Sequence, residues 1–369
     1  MPTSSPSKSA SNPRKYFPEL DFIKAVAILL VVAFHFWGQI SDWHMRVVGS
    51  DWFFAYWKNL SVSGFGDMAL GLLKFKEGYF YLGVNLFVIA SGFGLYFSYL
   101  KEGQVFNLKN FFSKRIWRLI PGAVLGLVIV FLVKGVFLDY WAIENWYLNL
   151  LPFLGGLNLF SDNWFFPPIN GEMWFLGLVI QLYLFFPLLC KAYSKLGEKK
   201  FLILLFGISV IFRTAYYIFW KDTVSSLSYG LSLGRLFEFG FGMVLAKKSF
   251  EGKKLSLWWI SGLLMFLGYF FAPSFPFTDS LLGIGFFTLL WAVAQKFSSF
   301  ASLKIFKQIA LQSYLMFLIH HPFIWILNKY GVNDFWNLFG ILIFVGVFAL
   351  SYLVAAAGNW LLQKAKVGF

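Results

Sequence analysis

Apolar residues fall along this chain in long, nearly unbroken runs, unlike the two-residue or 3.6-residue alternation of a half-buried strand or helix. The runs lie near 22–41, 79–99, 115–135, 174–190, 201–219, 229–246, 257–272, 281–297, 308–327 and 338–360. A helix needs roughly 20 apolar residues to cross a hydrocarbon core about 30 Å thick. The pattern therefore predicts an all-α integral membrane protein of about ten transmembrane helices, because a helix satisfies all its backbone groups internally. The first run is too long for a secretory signal peptide and lacks a small-residue cleavage site, so it predicts a retained helix. Residues 146–160 are also apolar, but Pro152, Gly155 and Gly156 interrupt them, which predicts an interfacial or re-entrant segment. Residues 1–13 are rich in Ser, Pro and Asn and carry no apolar pattern, which predicts a disordered tail ahead of one transmembrane domain over 14–369.

Composition agrees: 59% of residues are hydrophobic, 22% aromatic and 13% charged, where soluble domains carry about 25% charged residues. The single cysteine, Cys190, excludes an intramolecular disulfide and any cysteine-based metal cluster. Charge sets the orientation, since basic residues flanking spans stay in the cytoplasm. With residue 1 inside, 21 of the 31 Lys and Arg fall in cytoplasmic stretches and eight outside, Lys134 and Arg213 among them, while 11 of the 17 Asp and Glu, including Asp279, fall outside. Both termini are thus expected in the cytoplasm. The net charge of +14 reflects topology, and the expected partner is the lipid bilayer, not nucleic acid.

Ionisable groups inside spans are the informative ones, because each costs several kcal/mol unless it lines a cavity or finds a partner. His35 follows Lys24 by 11 residues on the first span, about 16 Å along a helix. Arg115 and Arg118 share a face by their i, i+3 spacing and stand with Lys109 and Lys114 at the mouth of the third span. Arg235 and Glu238, also i, i+3, read most simply as an intramembrane ion pair. His320 and His321 read as hydrogen-bonding packing residues. Lys24 and His35 on one apolar helix point to an internal cavity.

Six segments, in order, resemble the membrane-bound acyltransferase 3 family of bacterial O-acyltransferases. KYFPELDFIKAVAILLVVAFH, from Lys15 to His35, is similar to the family's first span, in which basic and acidic residues (Lys15, Asp21, Lys24) precede a histidine. YLGVNLFVIASGFGLYFS resembles the second span, and FFSKRIWRLIP carries the family's RxxR motif at Arg115 and Arg118. EMWFLGLVIQLYLFFPLL resembles the fourth span, RLFEFGFGMVLA the sixth, and SYLMFLIHHPF the ninth, with His320 at the family's histidine position. Lys24 replaces the commoner arginine. Val179 and Ile180 stand where many members carry a carboxylate, with Glu172 at the other end of the motif as its stand-in.

The resemblance implies transfer of an acyl group, usually acetyl, from cytoplasmic acyl-CoA to a hydroxyl of a cell-surface glycan or lipid-linked sugar, in the bacterial cytoplasmic (inner) membrane. Acetyl-CoA is then a donor substrate, and no tightly bound cofactor or metal is expected. His35 is the candidate catalytic base, since an alcohol attacking a thioester needs a base near neutral pKa. Lys24, Lys114, Arg115 and Arg118 are the candidates to hold the CoA phosphates. Asp21, Glu172, Arg235, Glu238, Ser313 and His320 are the supporting or acceptor-side candidates. Larger relatives append an extracytoplasmic domain, so a separate extracytoplasmic protein is a candidate partner. The alternative is a polytopic transporter or flippase for a glycan-related substrate, but such proteins frequently carry an internal repeat, and none is evident between residues 1–180 and 181–369.

Overall fold

The computed structural model describes residues 16–40, 80–141, 144–160, 165–220, 230–253, 275–331 and 338–365. The predicted tail and the run at 257–272 lie outside these residues. Every regular element among them is helical. In chain order they are α1 (Pro18–Ile40), α2 (Leu82–Lys101), α3 (Leu108–Leu138), α4 (Trp174–Trp220) and α5 (Leu236–Phe250). These are followed by α6 (Phe275–Lys296), the single turn α7 (Ser298–Ala301), α8 (Lys304–Ile319), α9 (His321–Lys329) and α10 (Leu338–Lys364).

Five stretches, α1, α2, α3, α4 and α10, are long and apolar enough to cross a membrane, and the bent pair α8–α9 makes a sixth. A straight α4 of 47 residues would be about 70 Å long, more than twice a bilayer core. Gly197, at φ 71° and ψ 174°, breaks it in a conformation that a side chain would oppose. The two arms correspond to the separate runs at 174–190 and 201–219, and Lys191, Lys195, Lys199 and Lys200 gather around the break. The apolar run at 229–246 begins with a 3-10 turn, Ser232–Arg235, before α5 proper. The interrupted segment 146–160 forms two 3-10 turns, Trp146–Phe153 and Leu157–Phe160, too short to span, as its Pro and Gly residues dictate.

α1 is central. It packs against α2, α6 and α8 and buries Ile23, Ala27, Ile28, Val31, Val32 and Phe36. The α2–α5 crossing is close because glycines face backbone. A Cβ at Gly92 would meet the Phe239 carbonyl oxygen, and one at Gly242 the Ile89 carbonyl oxygen, the small-residue packing that membrane helices favour. Outward faces are apolar: Val124, Val128, Leu132 and Val136 line one exposed stripe of α3, and Leu342, Val345 and Leu353 are exposed on α10. A stripe of that kind needs hydrocarbon around it.

Candidate active site

The site forms where α1, the start of α4 and the α8–α9 bend meet. The bend comes from sequence. Pro322 has no N–H to give the carbonyl four residues earlier, and its ring crowds that position, so α8 ends at Ile319 and α9 leaves it at 51°. The Leu318 carbonyl that loses its helical donor accepts from Asn170 Nδ2 at 2.9 Å. Asn170 Oδ1 in turn accepts from the Glu172 backbone N–H at 3.1 Å, capping the 3-10 turn Gly171–Met173 that leads into α4. Asn149, in the interrupted segment, accepts from the N–H groups of Ile169 and Asn170 at 2.9 and 3.3 Å. That segment thus braces the turn bearing Glu172.

Two histidines contact this carboxylate, and a third backs one of them. His35 Nε2 lies 3.5 Å from Glu172 Oε1, and His321 Nδ1 lies 2.7 Å from the same oxygen. His320 Nε2 is 3.0 Å from His35 Nδ1. Backbone carbonyls fix the tautomers, because they only accept. His320 Nδ1 faces the carbonyls of Phe317 at 2.8 Å and Met316 at 3.2 Å, so it carries the proton and Nε2 keeps the lone pair. His35 Nδ1 faces the Val31 carbonyl at 2.9 Å as well as the lone pair of His320, so it too carries the proton. The lone pair of His35 is therefore on Nε2, toward Glu172. A hydroxyl that reaches His35 Nε2 from beside Glu172 can give it a proton, and the imidazolium so formed is stabilised by the carboxylate 3.5 Å away.

Glu172 is 3% exposed and His320 fully buried, so the charges act where water does not screen them. Nitrogen and oxygen atoms of His35, Glu172 and His320 lie within 4.8 Å of one another and could approach a cation. A tetrahedral zinc site with bonds of about 2.0–2.1 Å is tighter than that, and His320 Nε2 would have to give up its bond from His35.

At the other end of α1 the predicted cationic residues are loosely grouped. Lys24 is within electrostatic reach of Arg118 and Asp21, and Arg115 within reach of Arg118. Partial burial first, and then the nearby Asp21 carboxylate, push the Tyr16 phenol up to about 12. Lys114 pairs with Glu102 at 3.3 Å on the surface. Lys114 and Arg115 line a cavity of about 170 Å³ with Tyr99, Phe106 and Phe111, and the Arg115 guanidinium stands 5.3 Å over the Phe111 ring.

The Arg235–Glu238 pair expected from their spacing forms, at 2.9 Å, and is half of a ring of four buried charges. Arg213 contacts Glu238 and Asp279 at 2.9 Å each, and Arg235 contacts Glu238 at 2.9 Å and Asp279 at 3.1 Å. Arg235 sits in the 3-10 turn before α5, and Asp279 is fully buried on α6 where the charge pattern predicts an outer loop. Ser313, meanwhile, is seven residues before His320 on α8, and its hydroxyl donates to the Ala310 carbonyl at 2.8 Å, so it is tied to its own helix. His321 and Asn170 are the site residues that sequence reasoning missed; the His-His-Pro string, whose proline breaks the helix there, was the available signal.

The architecture is that of a multi-pass helical membrane protein with a buried imidazole–carboxylate centre. Comparison with known proteins defines it further: residues 17–357 match the acyltransferase domain family, and the chain belongs to that family. A curated relative, the peptidoglycan O-acetyltransferase OatA of Listeria monocytogenes serovar 1/2a, is 22% identical over 353 residues, covering 84% of this chain. The chain spans about half the length of that relative. No solved structure matches.

Proposed function

We propose that this protein is an O-acyltransferase of the bacterial cytoplasmic membrane, moving an acetyl group from cytoplasmic acetyl-CoA to a hydroxyl of a cell-surface glycan or lipid-linked sugar. The observation that carries the reading is the placement of His35, with Nε2 3.5 Å from the buried Glu172 carboxylate and Nδ1 2.9 Å from the Val31 carbonyl. In this mechanism the acceptor hydroxyl gives its proton to Nε2 while its oxygen bonds to the thioester carbonyl carbon. The C–S bond then breaks, and the proton passes to the departing thiolate, leaving an ester and free CoA. Lys24, Lys114, Arg115 and Arg118 hold the phosphates of the donor. The excess of basic residues near Lys24, near Arg115 and around Gly197 supports about ten spans with both termini inside. The name of the Listeria relative supports an O-acetyl acceptor in the cell envelope.

Membranes carrying the protein, supplied with radiolabelled acetyl-CoA, test this directly. An acyltransferase moves label into a glycan fraction in an alkali-labile form. A transporter or flippase leaves it with the donor.

A further inference from the structure

Lys134 is a buried charge that acyl transfer alone leaves without a task. It lies four residues before the end of α3, 19 residues after Arg115, and so about 28 Å from the basic end of the helix. It is 6% exposed, and an ammonium at such a position is expensive unless it serves a ligand or a pathway. Its Nζ donates to the Pro168 carbonyl at 3.1 Å, and stands 4.2 Å over the Trp325 ring and 5.3 Å over Tyr140. A carbonyl and two ring faces offer partial negative charge only, and among the described residues Lys134 makes no ion pair.

Trp325 connects this cation to the reaction centre, because its ring lies 4.5 Å from that of His321. There, two buried acceptor atoms, Glu172 Oε2 and His321 Nε2, have no hydrogen-bond donor among the described residues. His321 Nδ1 already donates to Glu172 Oε1, so its Nε2 keeps a lone pair. A buried acceptor without a donor is destabilising until a ligand or water supplies one. These two acceptors, with the Trp325 indole and a cation that makes no ion pair among the described residues, form a set that a ligand would complete.

We infer that Lys134, Trp325, His321 and Glu172 form the acceptor subsite, and that it takes a carbohydrate carrying an anionic group beside the sugar that is acylated. Sugar hydroxyls donate to Glu172 Oε2 and His321 Nε2. The C–H face of a ring packs against Trp325, and a carboxylate or phosphodiester pairs with the Lys134 ammonium. This rests on the acyl-transfer reading and adds to it the chemistry of the acceptor and the end of the bundle from which it enters.

The test uses the full chain in lipid nanodiscs with a native envelope glycan in three forms: untreated, carboxyl-reduced, and stripped of phosphodiesters. Label transfer from acetyl-CoA and sedimentation binding of the glycan are both read, and the second needs no chemistry. One of the two neutralised glycans should be a poorer ligand for the wild type, which identifies the anionic group. Lys134→Met should raise the KM for untreated glycan about 10- to 100-fold, the worth of a charge-assisted contact, and Lys134→Arg should recover most of it. Should Lys134→Met fail to accumulate, the wild-type preference between the glycan forms still decides. Equal binding of all three forms by the wild type, or a Lys134→Met KM equal to that of wild type, overturns the subsite. Selective binding of the anionic glycan without label transfer would instead refute the acyl-transfer reading and leave the subsite standing.

Discussion

Among the described residues, replacing Glu238 with Gln would leave Arg213 and Arg235 facing one carboxylate, that of Asp279, at a site where all four residues are at most 3% exposed. Glu238 Oε1 accepts from both arginines at 2.9 Å, so the substitution removes two of the four ionic contacts and turns a neutral ring into a cationic one. Breaking a buried ion pair by removing one partner typically costs about 3–5 kcal/mol, which lowers the folded-to-unfolded ratio about 10²- to 10³-fold or more. Arg235→Met should cost a comparable amount, leaving the ring anionic. Arg235→Met combined with Glu238→Gln keeps Arg213 against Asp279 and restores neutrality, so most of the loss should return. The assay is membrane abundance together with the midpoint of thermal aggregation in detergent, read by fluorescence-detected chromatography. Wild-type stability in both single variants, or a double variant as unstable as their sum, would refute the neutral-ring reasoning.

Other substitutions probe the site. Asn170→Ala removes the cap on Glu172 and strands the buried Leu318 carbonyl. It should destabilise by about 1–3 kcal/mol and lower the maximal transfer rate more than it raises the KM for acyl-CoA; an unchanged rate would show that Glu172 does not need this brace. Arg115→Ala and Arg118→Ala should mainly raise the KM for acyl-CoA in steady-state assays, because contacts to the phosphates are made in ground and transition states alike. A fall in maximal rate at unchanged KM would contradict donor docking. Reporter fusions after Lys101, Lys199 and Lys307 should report cytoplasm, and fusions near Asp67 and Asp162 should report outside; a cytoplasmic signal at Asp162 would refute the assigned topology.

Much of this was legible in the sequence where a single physical rule dominates. Hydrocarbon forces long apolar runs, so helix α1 and the runs within α2, α3 and α10 stood out, and an ionisable residue within such a run marks itself, as His35 does. Glu172 was harder to place, because it sits in a short turn between Gly171 and Met173 where no period governs direction, and its position beside His35 depends on Asn170 and Leu318, 148 residues apart. His321 was hidden by its neighbour. On a continuous helix, adjacent residues diverge by about 100°, and only the break at Pro322 lets His320 and His321 both approach His35, with ring centroids 4.8 and 4.7 Å away. Arg213 and Asp279 looked like boundary charges, since sequence cannot reveal which helix ends fold back against one another. Lys134 was counted for topology, which conceals a buried cation as readily as it explains an exposed one.

The central claim is that His35 Nε2 takes the proton of the acceptor hydroxyl. The most direct measurement is acetyl transfer by His35→Ala at saturating acetyl-CoA, with donor binding and membrane abundance measured on the same preparation. Losing a general base typically lowers the rate about 10²- to 10⁴-fold, so transfer should fall by that factor while acetyl-CoA still binds. Transfer by His35→Ala at close to the wild-type rate would contradict the account, because neither proton abstraction nor acyl carriage could then reside at that imidazole.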